Sequence, residues 1–367
     1  MAITKERIAV VMGTRPEGMK LCPLILAMRR HALSPCVITS GQHVALLEEV
    51  MEAFFVKADV ALLPPPHGED IAALLSSLLS DFETAFRALM PPLVVVQGDT
   101  ATAFAAALCA FLLRIPVVHI EAGLRSGDPF SPFPEEGFRR SIAALACLHI
   151  APTPQAMYHL WAEGVPKSRV YCLGNTVEDA VRLLSPPRKE AGRQILFTLH
   201  RRECSQEQME GIFLAVKEIA ARFPSHTVLY PVHPSPRVRR VAEAVLGGAD
   251  GIRLSPPLPP KAFYRALAEA PFVMTDSGGV QEEAALLGVP TLVLRENTER
   301  ERELQSGRIF LAGTDRERIV SLASAWIKKP PKMKKESRHG SPSDKICKVL
   351  LSFIKDGSDM PRLFRES

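Results

Sequence analysis

Short apolar runs, each closed by a small or polar turn and followed by a helical pattern, recur along this chain, and few folds accommodate that alternation. Residues 8–12 (IAVVM) run into Gly13-Thr14-Arg15-Pro16-Glu17, and a helical spacing through Leu24, Leu26 and Met28 follows. Pro16 sits where a helix begins, and there its missing N–H is harmless. Runs at 36–39, 93–96 and 116–120 repeat the grammar, closing on Ser40-Gly41-Gln42-His43, Gln97-Gly98-Asp99-Thr100 and Glu121-Ala122-Gly123. Helical patterns fall near 43–55, 70–89, 101–113, 136–147 and 154–163, with short strands near 59–62 and 148–151. Strand–helix alternation of this kind predicts βαβ units on a parallel sheet. Ligands of such sheets bind beyond the carboxyl ends of the strands, so the polar turns are the informative residues.

The pattern restarts after residues 185–193 (SPPRKEAGR), which read as a linker. Strands are expected at 194–198, 227–232, 251–254, 271–275, 291–294 and 308–311, with helices at 205–222, 260–270, from 315, and at 344–355. A chain of 367 residues suits two cores better than one. The expectation is an α/β protein of two doubly wound, Rossmann-like domains facing across a cleft. Residues 1–184 form the first and 185–367 the second, and the last helix is read as packing back on the first.

Bulk properties exclude several classes. The net charge of +5 is modest and its excess lies largely in 328–338, a solvated segment. Aromatic residues make up 6% and do not interleave with that segment, so no nucleic-acid partner is expected. The apolar runs, such as 103–113, are far short of a membrane span, and the first residues carry no signal-peptide core. Seven scattered cysteines without a CxxC pair read as free thiols in a reducing compartment, hence a cytoplasmic protein.

Chemistry is expected at the strand ends. Thr275-Asp276-Ser277-Gly278-Gly279 joins an apolar run to a helical pattern, and a helix N-terminus with free N–H groups suits a phosphate. A Gly-Gly turn alone is more often structural; Arg15, Arg201 and Arg300 at turns of the same kind raise its value. Glu283, one turn into the helix, is placed to take a sugar hydroxyl. No Walker pattern or GxGxxG is present, so no dinucleotide cofactor is expected. Asp99, Glu121, Glu135 and His200 are the acid–base candidates, since like-charge crowding raises carboxyl pKa values toward neutral. Each has a plainer alternative: Asp99 as cap of the helix from Ala101, Glu121 as partner of Arg125, His200 as an interdomain hydrogen-bonder. Their convergence on one edge favours chemistry for the set. His119, inside an apolar strand, reads as a core histidine, and no metal-ligand spacing is present.

Taken together the motifs resemble the non-hydrolysing UDP-N-acetylglucosamine 2-epimerases. The matching stretches are GTRPEGMK (13–20), SGQH (40–43), QGDTATAF (97–104), HIEAGLRSGDPFSPFPEE (119–136), GNTVEDA (174–180), TLHRREC (198–204), PVHP (231–234), TDSGGVQEEAALLGVP (275–290) and LRENTER (294–300). The resemblance implies a glycosyltransferase-B type fold, usually as a homodimer, and interconversion of UDP-GlcNAc and UDP-ManNAc without an external cofactor, as a step toward cell-surface polysaccharide precursors. It implies Asp99, Glu121 and Glu135 as acid–base carboxyls, with His200 near the diphosphate. Arg15, Lys20, Arg139, Arg201 and Arg300 grip the nucleotide sugar; Ser277, Gly278 and Gly279 hold phosphate, Glu283 the ribose, and Phe263 lies near the uracil. Gln42, Glu136 and His233 fit the set that holds an activating second UDP-GlcNAc in many bacterial members. Departures are Phe138 and Cys204 where the family has Asn, Glu301-Arg302 for Pro-Glu, Ala45 for a second Gln, and Gly68 for an Arg. The last two imply weakened activation. The rival expectations are a hydrolysing relative, an epimerase of a modified UDP-sugar, a glycosyltransferase of the same architecture, and a binding protein that has lost catalysis.

Overall fold

The computed structural model describes residues 7–64, 70–186, 192–199, 205–296, 309–331 and 340–356. The chain divides into two compact units, the first holding the described residues up to Ala180 and the C-terminal helix, the second those from Val181 to 331.

In the first unit the order is β1 (Ile8–Met12), α1 (Arg15–Arg30), β2 (Pro35–Thr39), α2 (Val44–Ala53), β3 (Val60–Ala61), α3 (Ile71–Leu89), β4 (Val94–Gln97), α4 (Ala101–Leu112), β5 (Val117–Ile120), α5 (Glu135–Leu145), β6 (Leu148–Ala151), α6 (Pro154–Ala162), β7 (Val170–Cys172) and the first turn of α7 (Val177–Leu184), within which the division between the units falls. All pairings are parallel, in the order β3-β2-β1-β4-β5-β6-β7. Strands such as β1 are buried at every position, as expected when helices cover both faces. On one face Val94, Val96, Ala9 and Val11 pack with Phe82, Phe86 and the alanine-rich α4. Small residues let α3 and α4 approach closely.

The second unit holds β8 (Gln194–Thr198), α8 (Gln206–Arg222), β9 (Thr227–Pro231), α9 (Pro236–Leu246), β10 (Ile252–Ser255), α10 (Pro260–Glu269), β11 (Val273–Thr275), α11 (Gly278–Leu287), β12 (Thr291–Val293), β13 (Ile309–Leu311) and α12 (Arg316–Lys328). Its parallel sheet runs β10-β9-β8-β11-β12-β13, with Phe197, Phe213 and Tyr230 at the centre of its core. Both units thus have the doubly wound order expected. Helices α7 and α9 were not anticipated: both are short and amphipathic, next to a Pro-rich linker and a Pro-containing turn. The final helix, α13 (Pro342–Asp356), packs on α1. There Arg30 and His31 reach Asp344 at 2.9 and 3.1 Å, and Ser343 N donates to Asp179 Oδ2 at 2.8 Å. Among the described residues no helix is long and apolar enough to cross a membrane.

Two histidines lie side by side in this core. His119 on β5 and His149 on β6 are register partners, both buried. His119 Nε2 meets Gly98 O at 2.8 Å, as a core histidine should. Burial pushes His119 down to about 4 and His149 down to about 3. In the unfolded chain both protonate near 6.5. Unfolding therefore takes up two protons between pH 6.5 and about 4, and stability falls as pH drops through that window, by roughly 1.4 kcal/mol per pH unit for each histidine. The dependence of Tm on pH between 7 and 5 should flatten clearly in a His149→Gln variant. An unchanged slope would show that the pair does not set it.

Candidate functional site

The site of the first unit is built from the ends of β1, β2, β4 and β5. Thr14 starts α1, and the Glu17 carboxylate turns back to accept from Gly13 N, Thr14 N and Thr14 Oγ1 at 2.9, 2.8 and 2.8 Å. Its other oxygen accepts from Thr100 Oγ1 at 2.7 Å, which ties the β1 turn to the β4 turn. Glu17 is fully buried, and burial raises its carboxyl pKa. Gly13 is required by close approach: a Cβ there would lie 2.1 Å from Ser40 Oγ and 2.3 Å from Thr102 Oγ1. Those two hydroxyls are bonded at 2.7 Å, and Thr102 also donates to Gln42 Oε1 at 2.9 Å. Three turns are thereby locked together.

Asp99 and Glu121 emerge from neighbouring strands, whose last residues Gln97 and Ile120 are register partners. Gly98 makes the turn before Asp99 at φ +71°, and Glu121 itself lies in the left-handed region at φ +64°. Asp99 pairs with Arg139 of α5. Burial raises the Asp99 carboxyl, and the Glu121 charge adds to this, while Arg139 and Lys20 oppose it. Glu121 stands in a ring of donors. Lys20 Nζ of α1 lies 2.7 and 2.5 Å from its two oxygens, Asn175 Nδ2 donates to Oε1 at 3.0 Å, and Gln97 Nε2 donates to Oε2.

Two plainer readings are thereby overturned. Thr100, not Asp99, caps α4, its hydroxyl accepting from Ala103 N at 3.0 Å. Arg125 does not meet Glu121; it forms a two-pronged pair with Glu163, the residue that caps the end of α6, at 2.7 and 2.6 Å. Gln97 and Asn175 were missed as site residues. Both stood in quoted motifs at strand ends, but an amide carries no titratable signal to single it out.

Glu135 is the first residue of α5, half-buried, and among the described residues none hydrogen-bonds its carboxylate. Glu136 beside it turns inward. It is fully buried and accepts from Arg139 Nη1, Arg140 Nε and Ser126 N at 3.1, 2.9 and 3.2 Å. Phe138 stacks on Phe104 with centroids 4.9 Å apart, so the residue that replaces the family's Asn is a packing residue here. Arg15 is at the first position of α1, half-exposed.

In the second unit, Ser277 caps α11, its Oγ 3.5 Å from Val280 N. Thr275 Oγ1 accepts from Ser277 N at 3.0 Å and bonds Thr198 Oγ1 at 2.6 Å, fixing the turn to two strands. Gly278 is half-exposed and Gly279 exposed, so the start of a ten-residue helix is open to a ligand. Buried Tyr264 donates to Glu283 Oε1 at 2.8 Å and meets half-buried Phe263 edge-on at 5.9 Å. His233 accepts from Ser235 N at 3.2 Å. His200, Arg201, Cys204, Arg300, Glu301, Arg302 and Gly68 lie outside the described residues. The structure thus gathers Lys20, Asp99, Glu121 and Arg139 in one unit, and Phe263, Ser277–Gly279 and Glu283 in the other.

The fold is of the glycosyltransferase-B type: the glycosyltransferase CalG4 superposes with a TM-score of 0.55 at 16% identity, over 98% of this chain and 99% of its own. Within that fold the likeness narrows sharply. The model of the family "UDP-N-acetylglucosamine 2-epimerase" matches residues 26–351. A UDP-N-acetylglucosamine 2-epimerase of Bacillus subtilis is 40% identical over 347 residues, 92% of this chain and 91% of its own. The crystal structure of the UDP-GlcNAc 2-epimerase of Neisseria meningitidis, bound to UDP-GlcNAc, superposes with a TM-score of 0.86 at 31% identity, over 94% of this chain and all of that one. The chain belongs to the UDP-N-acetylglucosamine 2-epimerase family and is an enzyme of the isomerase class.

Proposed function

We propose that this enzyme interconverts UDP-GlcNAc and UDP-ManNAc by eliminating and re-adding UDP, in the cytoplasm and as a homodimer, to supply cell-surface polysaccharide precursors. One carboxylate takes the C2 proton. The C1–O bond breaks, its electron pair leaves with UDP, and the C2–H pair forms the double bond of 2-acetamidoglucal. UDP oxygen then attacks C1, and C2 receives a proton on the opposite face. The sequence is redox-neutral and calls for no external cofactor.

The observation that carries this reading is the contrast between two carboxyls at neighbouring strand ends. Burial raises Asp99, which suits a group that gives and takes protons near neutral pH. Glu121 is surrounded by donors, which suits an acceptor carboxylate. Glu135 is the third acid–base group. Lys20, Arg15 and Arg139 are assigned to the nucleotide sugar, with His200, Arg201 and Arg300 at the diphosphate. In the second unit the open start of α11 at Ser277, Gly278 and Gly279 takes phosphate, Glu283 the ribose and Phe263 the uracil side. Gln42 and His233 are assigned to an activator site weakened by Ala45 and Gly68; Glu136, its carboxylate fully buried on Arg139, Arg140 and Ser126 N, is assigned to bracing instead.

The test is to incubate the protein with UDP-GlcNAc in deuterated water and follow proton NMR. UDP-ManNAc carrying deuterium at C2 is the expected product. Free ManNAc would mark a hydrolysing enzyme, and absence of both products and exchange would refute the catalytic reading.

A further inference from the structure

We propose that Asn175 and Gln97 are positioning residues for Glu121, two buried amides that hold its carboxylate in one orientation and in its acceptor form. The inference rests on the proposed reading, in which Glu121 moves protons. Glu121 leaves β5 in a left-handed backbone conformation that sets the direction of its Cβ but not of its carboxylate. Three torsions remain, so the oxygens must be held by other elements.

Asn175 does this with a fixed polarity. It is 6% exposed, and its Oδ1 accepts from Val177 N, 3.1 Å away at the start of α7. A backbone N–H can only donate, so Oδ1 must face Val177 and Nδ2 must face Glu121. Gln97 is 3% exposed and is the last residue of β4, beside the strand that delivers Glu121. Its Nε2 donates to the other oxygen. Each carboxylate oxygen therefore receives one neutral amide donor, and Lys20 adds the charge from α1. Donors from three separate elements fix a plane that one flexible lysine cannot. A protonated Glu121 would set its own O–H against an N–H, so both amides favour the ionised form.

The other charged groups nearby do not supply this direction. Asp99 beyond β4 is held by Arg139 of α5, and Lys20 brings its charge on a stem of four rotatable bonds. His119 on the same strand is buried and points to Gly98 O. Neutral donors orient the carboxylate without adding a further positive charge, which leaves its basicity to Lys20.

Asn175→Asp isolates the role. It keeps an oxygen for Val177 N and the same shape, and replaces only the donor facing Glu121 by an acceptor. In steady-state assays the variant should lose kcat by roughly tenfold at pH 7 and keep KM for UDP-GlcNAc within about threefold. The acid limb of its kcat/KM profile should move up by about one pH unit, as a like charge beside Glu121 demands. Gln97→Glu should reproduce the shift, and it serves as the second variant should Asn175→Asp not fold. An acid limb in the wild-type position, or equal loss of kcat and affinity, would overturn the proposal. Absence of C2 exchange in the wild-type enzyme would instead overturn the reaction on which it rests.

Discussion

Asp99→Asn should lower kcat by about a thousandfold while changing the Kd for UDP by less than about threefold. The substitution keeps the shape of the side chain and one oxygen for the Arg139 guanidinium, but it removes the group that exchanges a proton. Burial raises the native carboxyl above its ordinary value, so the wild type holds a proton closer to neutral pH than an exposed Asp would. Asn has no such proton to give. A structural explanation for the same loss is weak, because Thr100 caps α4 and Asp99 does not. Turnover measured by conversion to UDP-ManNAc, together with UDP titration by calorimetry, separates the two effects. A fall in UDP affinity as large as the fall in kcat would make Asp99 a binding or bracing residue.

The strands and their polar ends were legible because parallel strands buried on both faces must be short, apolar and closed by turns. The residues that project at those ends were therefore readable before their partners were. Partnership was not. Glu121 and Arg125 are four apart and opposite in charge, and the plain expectation pairs them. The chain turns through Gly123 at φ +87° between them, which sends Arg125 to Glu163 at the end of α6. Lys20 is 101 residues from Glu121 and reaches it because β1 and β5 flank β4 in the sheet. Sequence spacing carries no trace of such a meeting. Amides such as Gln97 and Asn175 were illegible for a second reason: their role depends on which end faces the carboxylate, and for Asn175 it is the Val177 N–H that decides this.

Glu136 shows how closely bracing and chemistry lie together, and Glu136→Ala should lower stability by about 3 kcal/mol, the loss expected when one partner of a buried ion pair is removed. For a unit of this size that corresponds to a fall in Tm of roughly 6–12 °C. The carboxylate is fully buried and takes three donors, from Arg139, Arg140 and the backbone of Ser126. Arg140 is 41% exposed and can turn to water, but the Arg139 side chain is 15% exposed and cannot. Arg139 is also the partner of Asp99, so its guanidinium is held between two carboxylates. Without Glu136 one of those restraints goes, and with it the tether on Ser126 at the head of the loop that leads to Glu135. The variant should therefore lose turnover by about tenfold even well below its melting temperature. Glu136→Gln, whose one oxygen can accept from Ser126 N and Arg139 on the same side while Arg140 turns to water, should recover part of the stability and part of the turnover. A Tm within about 2 °C of wild type would show that water replaces the carboxylate, and the bracing role would fail. A Tm that falls with kcat unchanged would place the Arg139–Asp99 pair beyond the reach of Glu136, leaving the catalytic carboxyl held by its own strand end.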